Sequence, residues 1–387
     1  MNILELSAYF YPNKGGIETV IYNLTKQWTK NNKNTNKNKD KKHNVIVITS
    51  DQGSTKSYDE IGKVKTHYLR SKLILLDPIY PSIFKKIKQL NKKQKLDIAL
   101  IHHPHPFTLF AGAYACKKNK IPYCVHMHGK ELILPGWKKP LTSLYNVIFL
   151  KYILSNAEKI FICVDKIKHQ SKILKKYKHK IVTIPHGINF EEFDNDKKKS
   201  NKDTNIILYL GVLRDYKRLD ILVKAMPKII KHVPNTKLII AGKGPELKKL
   251  KNLSNNLKIN KHILFQGFVP DKIKPDYYKS ADLFVLPSPT IMESFGIVAL
   301  EAMLTKTPVI VSQGAGIAEV FEKNNIPTVV KPFSSESIAN MTIKLLKNKK
   351  LSKNIANKSY NLIKNKFQWK HIAKQYLEVF KDVIDNE

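Results

Sequence analysis

Short apolar runs alternate along this chain with longer stretches of helical periodicity, and the alternation is densest between Leu283 and Glu319. There, Leu283–Ser288 reads as a buried strand, Glu293-Ser-Phe-Gly296 as a turn and Ile297–Leu304 as a helix. A second apolar strand, Pro308–Ser312, leads through a Gly-rich turn into a further helix start at Gly314–Glu319. Strand, loop and helix repeated in this order predict an open parallel α/β sheet, whose ligands sit at the carboxyl ends of the strands.

The same alternation runs through the rest of the chain. In the first half, strands are expected at Asn2–Ser7, Asn44–Ser50, Lys63–Leu69, Asp97–His102, Tyr123–His126 and Lys159–Val164. Helices are expected from Gly16 to about Lys30 and at Ser82–Lys93, Phe107–Lys118 and Leu141–Leu154. In the second half, strands are expected at Asn205–Leu210, Lys237–Ala241, His262–Gly267 and Thr328–Lys331. Helices follow at Asp271–Ala281, Glu336–Lys347, Leu351–Lys366 and Trp369–Ile384. The polar, low-complexity stretch Asn31–His43 reads as a disordered loop. A chain of 387 residues is long enough for two domains. The expected division is 1–190, a lysine-rich linker over 191–204, a second domain over 205–366 and a last helix over 367–387.

Composition adds a strong positive charge: 68 Lys and Arg stand against 31 Asp and Glu, a formal +37. On electrostatic grounds such a chain attracts nucleic acid or anionic membrane. Lysine and asparagine are abundant everywhere, however, and no basic motif interleaved with aromatics marks a nucleic-acid module, so no specific nucleic-acid partner is expected. Three stretches do combine apolar anchors with lysines: Ser71–Leu76, Ile83–Lys88, and Trp137-Lys-Lys with Leu141–Leu154. They predict peripheral attachment to an anionic membrane surface. The longest apolar run, Leu144–Leu154, is broken by Lys151 and too short to span a bilayer. The N-terminus passes directly into a strand, with no room for a signal peptide, and Cys116, Cys124 and Cys163 lie in apolar runs like reduced core residues. A cytoplasmic protein, peripheral on the inner face of the membrane, is the expectation.

The candidate chemistry collects at predicted strand ends. Glu293 and Glu301 stand eight positions apart across a Gly turn, too far to share one spot on a helix. A carboxylate suits a vicinal diol, and the backbone N–H groups of Ser294–Ile297 at a helix start suit an anion. Two diols with an anion between them describe a sugar nucleotide, although two glutamates at this spacing are also compatible with solvated surface positions. Gly15-Gly16 at a helix start lets backbone approach a phosphate, or simply makes a tight turn. Arg214 and Lys217 offer a fork and a point charge for two phosphates, or form a solvated basic turn. Five histidines (102, 103, 105, 126 and 128) lie close in sequence, but no carboxylate stands at matching ligand spacing. Asp194-Asn-Asp196 runs directly into the lysine linker. No metal and no cofactor is expected.

Glu293-Ser-Phe-Gly296 with Glu301-Ala-Met303, Pro308-Val-Ile310 and Gly316-Ile-Ala-Glu319 resembles the donor-site signature of glycosyltransferase family 4. Pro12-x-x-Gly15-Gly16-x-Glu18, His128-Gly129, the Gly211-x-Leu213-x-x-x-Lys217 loop and Gly242-x-Gly244-Pro245 are similar to further motifs of that family. The resemblance implies the GT-B fold: two Rossmann-like parallel-sheet domains facing a central cleft, with the C-terminal helix crossing back to the first. It implies retaining, metal-independent transfer of a hexose from a UDP- or GDP-linked donor to a hydroxyl of a glycan or lipid-linked acceptor. Glu293 would hold sugar hydroxyls, Glu301 the ribose, and His128 the sugar. Lys217 and Arg214 would meet the diphosphate, and Gly15, Gly16, Gly211, Gly244, Ser294, Phe295, Gly296 and Ile297 would line the donor. Three positions depart from the pattern: Val212 replaces an arginine, Arg218 a glycine, and Asn324-Asn-Ile-Pro an Asn-Gly turn. Val212 keeps open a non-catalytic sugar-nucleotide binder or partner subunit.

Overall fold

The computed structural model describes residues 1–30, 43–52, 55, 57–61, 64–75, 77–132, 136, 139–191, 193 and 203–386. The polar stretch 31–42, Trp137 and residues 194–202 of the expected linker, with Asp194-Asn-Asp196, lie outside the described residues. The chain divides into two units, residues 1–186 with 369–387, and residues 187–368.

The first unit contains β1 (Asn2–Leu6), β2 (Asn44–Ser50), β3 (Tyr58–Ile61), β4 (Val64–Leu69), β5 (Lys72–Ile74), β6 (Asp77–Ile79), β7 (Ile98–His102), β8 (Tyr123–Met127), β9 (Ile160–Ile162) and β10 (Ile181–Thr183). Eight of these form one sheet in the order β10-β9-β8-β7-β1-β2-β4-β3. All neighbours are parallel except β3, which runs antiparallel to β4 at the edge. β7 and β8 are buried along their whole length, as continuous apolar runs are when helices cover both faces of a parallel sheet. β5 and β6 form a separate hairpin. The order reverses between β1 and β7, since strands that follow β1 extend one way and those from β7 the other.

The expected helix over Leu141–Leu154 is longer and composite: Lys139–Tyr145 is α, Asn146–Leu150 a π turn, and Lys151–Asn156 α again. Leu150, Ile153 and Leu154 are buried, whereas Leu141, Leu144, Val147 and Ile148 are half or more exposed. The last helix, Trp369–Asp385, belongs to the first unit. There Trp28 Nε1 donates to the Ala373 carbonyl at 2.9 Å, and Tyr376 and Phe380 are buried with Trp28 and Phe161 in one aromatic cluster.

The second unit contains β11 (Asn205–Leu210), β12 (Thr236–Ala241), β13 (Ile263–Gly267), β14 (Leu283–Leu286), β15 (Val309–Ser312) and β16 (Val329–Val330). They form one parallel sheet in the order β13-β12-β11-β14-β15-β16. Here the order reverses between β11 and β14. The first unit's opening segment ends four residues before the expected 190, because Ile188 already bridges to Gln368 and donates to the Phe367 carbonyl at 2.8 Å.

Candidate active site

In a doubly wound sheet the reversal point opens a crevice at the carboxyl strand ends, where ligands bind. In the second unit the loops after β11 and β14 flank that point, and they carry Lys217 and Glu293. The β11 loop is tied to the β12 loop by main-chain bonds: Leu213 N–H to the Lys243 carbonyl at 2.9 Å and Glu246 N–H to the Leu213 carbonyl at 3.1 Å. A Cβ on Gly244 would lie 2.3 Å from the Leu213 oxygen, so only glycine permits this contact. The β14 loop ends at Gly296, whose φ of 94° starts the helix Ile297–Leu304 from a left-handed residue. Gly296, as the N-cap, supplies no side-chain cap to that helix.

Within this framework Lys217 Nζ donates to Glu293 Oε2. Both side chains are close to nine-tenths buried, and the ammonium also sits 5.1 Å from the Tyr216 ring centroid. Burial, and then the Glu293 carboxylate, pushes the nearby Tyr209 hydroxyl well above its ordinary range. Glu301 is held separately by the buried Tyr278 hydroxyl, which donates to its Oε2 at 2.6 Å. The structure thus joins Lys217 to Glu293 and gives Glu301 a partner of its own. Phe295 is 1% exposed, so its contribution to any ligand is backbone rather than ring. Arg214 is exposed, and its side chain makes no hydrogen bond among the described residues. Val212 is half-exposed, and its carbonyl accepts from the Tyr209 hydroxyl at 3.0 Å.

Two departures from the family pattern acquire a physical account. Arg218 adopts the left-handed conformation, φ 49° and ψ 47°, which a glycine takes without strain. It is held there by two bonds to Asp220, at 2.9 and 3.0 Å, and by the Phe333 ring. Asn325 likewise has φ 51°, a conformation asparagine tolerates better than most residues.

In the first unit Gly15 is the N-cap of the helix Gly16–Thr29, again with no side-chain cap. Three of the five histidines converge at the ends of β7 and β8. His102 Nδ1 and His128 Nε2 are 2.9 Å apart, and the His128 ring stacks on His126 with centroids 3.9 Å apart. One nitrogen from each of these three rings lies within 4.8 Å of the others, a spacing at which a cation could be held. The His128 ring stacks on both neighbours, and its Nε2 already shares a hydrogen bond with His102 Nδ1. The carboxylate missing from the local sequence comes from β1: Glu5 Oε2 lies 2.5 Å from His102 Nε2. Sequence spacing could not show this pairing. A carboxylate inside the apolar run Ile3–Ser7 was the available signal. Burial pushes Glu5 up, opposed by His102. Burial, and then His126, His102, His186 and His103, pushes His128 well down.

The first unit also contains an apolar cleft of about 460 Å³, lined by Ile74, Leu75, Phe107, Phe110, Leu141 and Phe149 among others. Among the described residues, no helix is long and apolar enough to cross a membrane.

Residues 14–192 match the family model described as Glycosyltransferase Family 4, and residues 190–362 match that described as Glycosyl transferases group 1. The chain is 32% identical to an uncharacterized glycosyltransferase of Methanocaldococcus jannaschii over 62% of its length and 64% of that protein's. It is 24% identical to the GPI3 subunit of the phosphatidylinositol N-acetylglucosaminyltransferase of Saccharomyces cerevisiae, over 90% of this chain and 76% of that one. A crystal structure of Anabaena HepE in complex with UDP superimposes with a TM-score of 0.74 at 17% identity, covering 99% of this chain and all of that one. With both halves matched in order and two parallel-sheet units of the GT-B type, the chain belongs to glycosyltransferase family 4 and is a transferase enzyme.

Proposed function

We propose that this enzyme moves a hexose from a nucleotide sugar, UDP- or GDP-linked, to a hydroxyl of a glycan or lipid-linked acceptor, with retention and without a metal. The observation that carries the reading is the buried Lys217–Glu293 pair at the strand reversal of the second unit. A buried ammonium fixed beside a carboxylate suits a donor whose diphosphate takes the cation while its sugar hydroxyls take the anion. As the anomeric bond breaks, Lys217 stabilises charge on the leaving diphosphate, joined by Arg214, whose exposed side chain is available to swing in. The diphosphate oxygen then takes the proton of the acceptor hydroxyl on the same face. Glu301, oriented by Tyr278, holds the ribose, and the backbone at Gly211, Gly244 and Ser294–Ile297 lines the nucleotide. Gly15 and Gly16 serve the diphosphate, and His128 hydrogen-bonds the sugar.

UDP bound to the Anabaena protein supports a nucleotide donor, and the yeast relative, named for phosphatidylinositol, supports a lipid-linked acceptor. The cleft, with the exposed apolar residues Leu73, Ile74, Leu144, Val147 and Ile148, supports peripheral contact with a membrane, which we place at the anionic cytoplasmic face. A panel of UDP- and GDP-hexoses, scored for hydrolysis and for transfer to extracted lipids in excess EDTA, tests the reading. Turnover of one donor is expected. Magnesium-dependent turnover would overturn metal independence. Thermal stabilisation by UDP or GDP without any turnover would favour the non-catalytic binder that Val212 suggests.

A further inference from the structure

Glu5 and His102 have no role in the transfer described above, yet two short hydrogen bonds connect them in one line to His128. The three side chains are 0%, 1% and 8% exposed. They come from β1, the end of β7 and the turn after β8, so the strand reversal of the first unit is what assembles them. With one proton in each bond and both rings neutral, two arrangements remain. With Glu5 ionised, His102 donates from Nε2 and accepts at Nδ1, and His128 donates from Nε2 and keeps a lone pair at Nδ1. With Glu5 protonated, every bond reverses, and His128 carries its N–H at Nδ1.

We propose that Glu5 and His102 are positioning residues, a one-proton relay that sets whether His128 offers the transferred sugar a lone pair or an N–H at Nδ1. The proposal rests on the assignment of His128 to the sugar. A proton arriving at His128 Nδ1 from solvent sends the Nε2 proton of His128 to His102 Nδ1. The Nε2 proton of His102 then passes to Glu5 Oε2. One proton is taken up, the Glu5 charge disappears, and neither ring becomes an imidazolium. Burial acts in the same sense, pushing the His128 cation down and Glu5 up. The other titratable groups facing the line are His103, His126, His186, Glu18, Cys163 and Tyr376, whose hydroxyl lies 3.4 Å from His126 Nδ1.

The test is the ¹⁵N histidine spectrum of the full-length protein, read beside transfer kinetics. At neutral pH, His128 is expected to be protonated at Nε2 and bare at Nδ1. The Glu5→Gln amide can donate to His102 Nε2, so this variant is expected to reverse the His128 tautomer. It should also lower kcat about 10- to 100-fold with donor KM within about twofold, and abolish the acid limb of the kcat profile. Glu5→Ala, which removes the bond without reversing it, should give mixed tautomers. A His128 that stays protonated at Nε2 in Glu5→Gln, or a wild-type tautomer that never changes over the pH range in which the protein stays folded, would overturn the relay. If Glu5→Gln does not fold, the wild-type spectrum from about pH 8 to about pH 5 decides: a shift from Nε2–H to Nδ1–H supports the relay, and an imidazolium signal at His128 refutes it. The tautomer is read without turnover, so a protein that transfers no sugar would refute the function and leave the relay standing.

Discussion

Glu293 and Lys217 answer for each other, so removing either has two consequences that separate cleanly. Glu293→Gln strands a buried ammonium and should cost stability by about 3–5 kcal/mol, read by thermal or denaturant unfolding. It should also lower kcat and kcat/KM together by about 2–4 kcal/mol, since positive charge develops at the sugar assigned to it. Glu301 is tied to Tyr278 and assigned to a ribose whose charge does not change. Glu301→Gln should therefore raise donor KM and leave kcat nearly intact. Identical kinetic losses in the two variants would refute this division of roles. Arg218 offers a control on the backbone. Relief of left-handed strain is worth about 1–2 kcal/mol, against about 0.2–1 kcal/mol for a part-exposed ion pair and about 0.5–1 kcal/mol for the Phe333 contact. Arg218→Gly should leave the melting temperature nearly unchanged, whereas Arg218→Val should lower it. A marked loss with glycine would show that the Asp220 pair matters more than the backbone.

At the scale of elements, what the sequence made legible followed periodicity, and what it hid followed tertiary pairing. The parallel strands with continuous apolar runs and the helix Ser82–Lys93 were readable because burial on both faces, or on one helical stripe, is written locally. β3 was not, because Tyr-Asp-Glu-Ile at an edge carries no burial signal, and its partner β4 supplies the reason for its existence. Glu293 and Lys217 were legible as a motif, but their mutual bond depends on a strand order that no local pattern states. The pairing of Glu5 with His102 was hidden for the same reason. The composite helix Lys139–Asn156 gained a π turn that periodicity alone does not announce, and it leaves Leu144, Val147 and Ile148 outward. Each such side chain buried in lipid is worth about 1.5–3 kcal/mol, and each nearby lysine on anionic lipid about 1 kcal/mol. Val147→Asp with Ile148→Asp should abolish flotation with anionic liposomes while leaving the fold intact by circular dichroism. Equal recovery of the wild type on neutral and anionic vesicles, or none on either, would defeat the membrane assignment.

The whole molecule should be acid-labile, and the lability should begin in the first unit. Burial holds His103 and His186 down to about 3, and burial with Lys86, Lys65 and Lys93 holds His67 to about 4. Unfolded histidines titrate near about 6.5, so between there and the folded values the unfolded chain binds more protons. Stability from these groups is complete above about pH 6.5 and is lost as pH falls through that window. Glu5, pushed up, acts in the opposite sense but is one group against several. Melting temperature should fall between about pH 7.5 and about pH 5, less steeply in His103→Gln, and a flat profile would refute the account. The grouping of residues 369–387 with residues 1–186 has a consequence for biogenesis. The second unit is an insertion whose entry and exit points, Ile188 and Gln368, are bridged side by side, so everything it needs emerges from the ribosome in one uninterrupted passage. The first unit cannot close its aromatic cluster of Trp28 and Phe161 until Tyr376 and Phe380, near the end of the chain, have been synthesised.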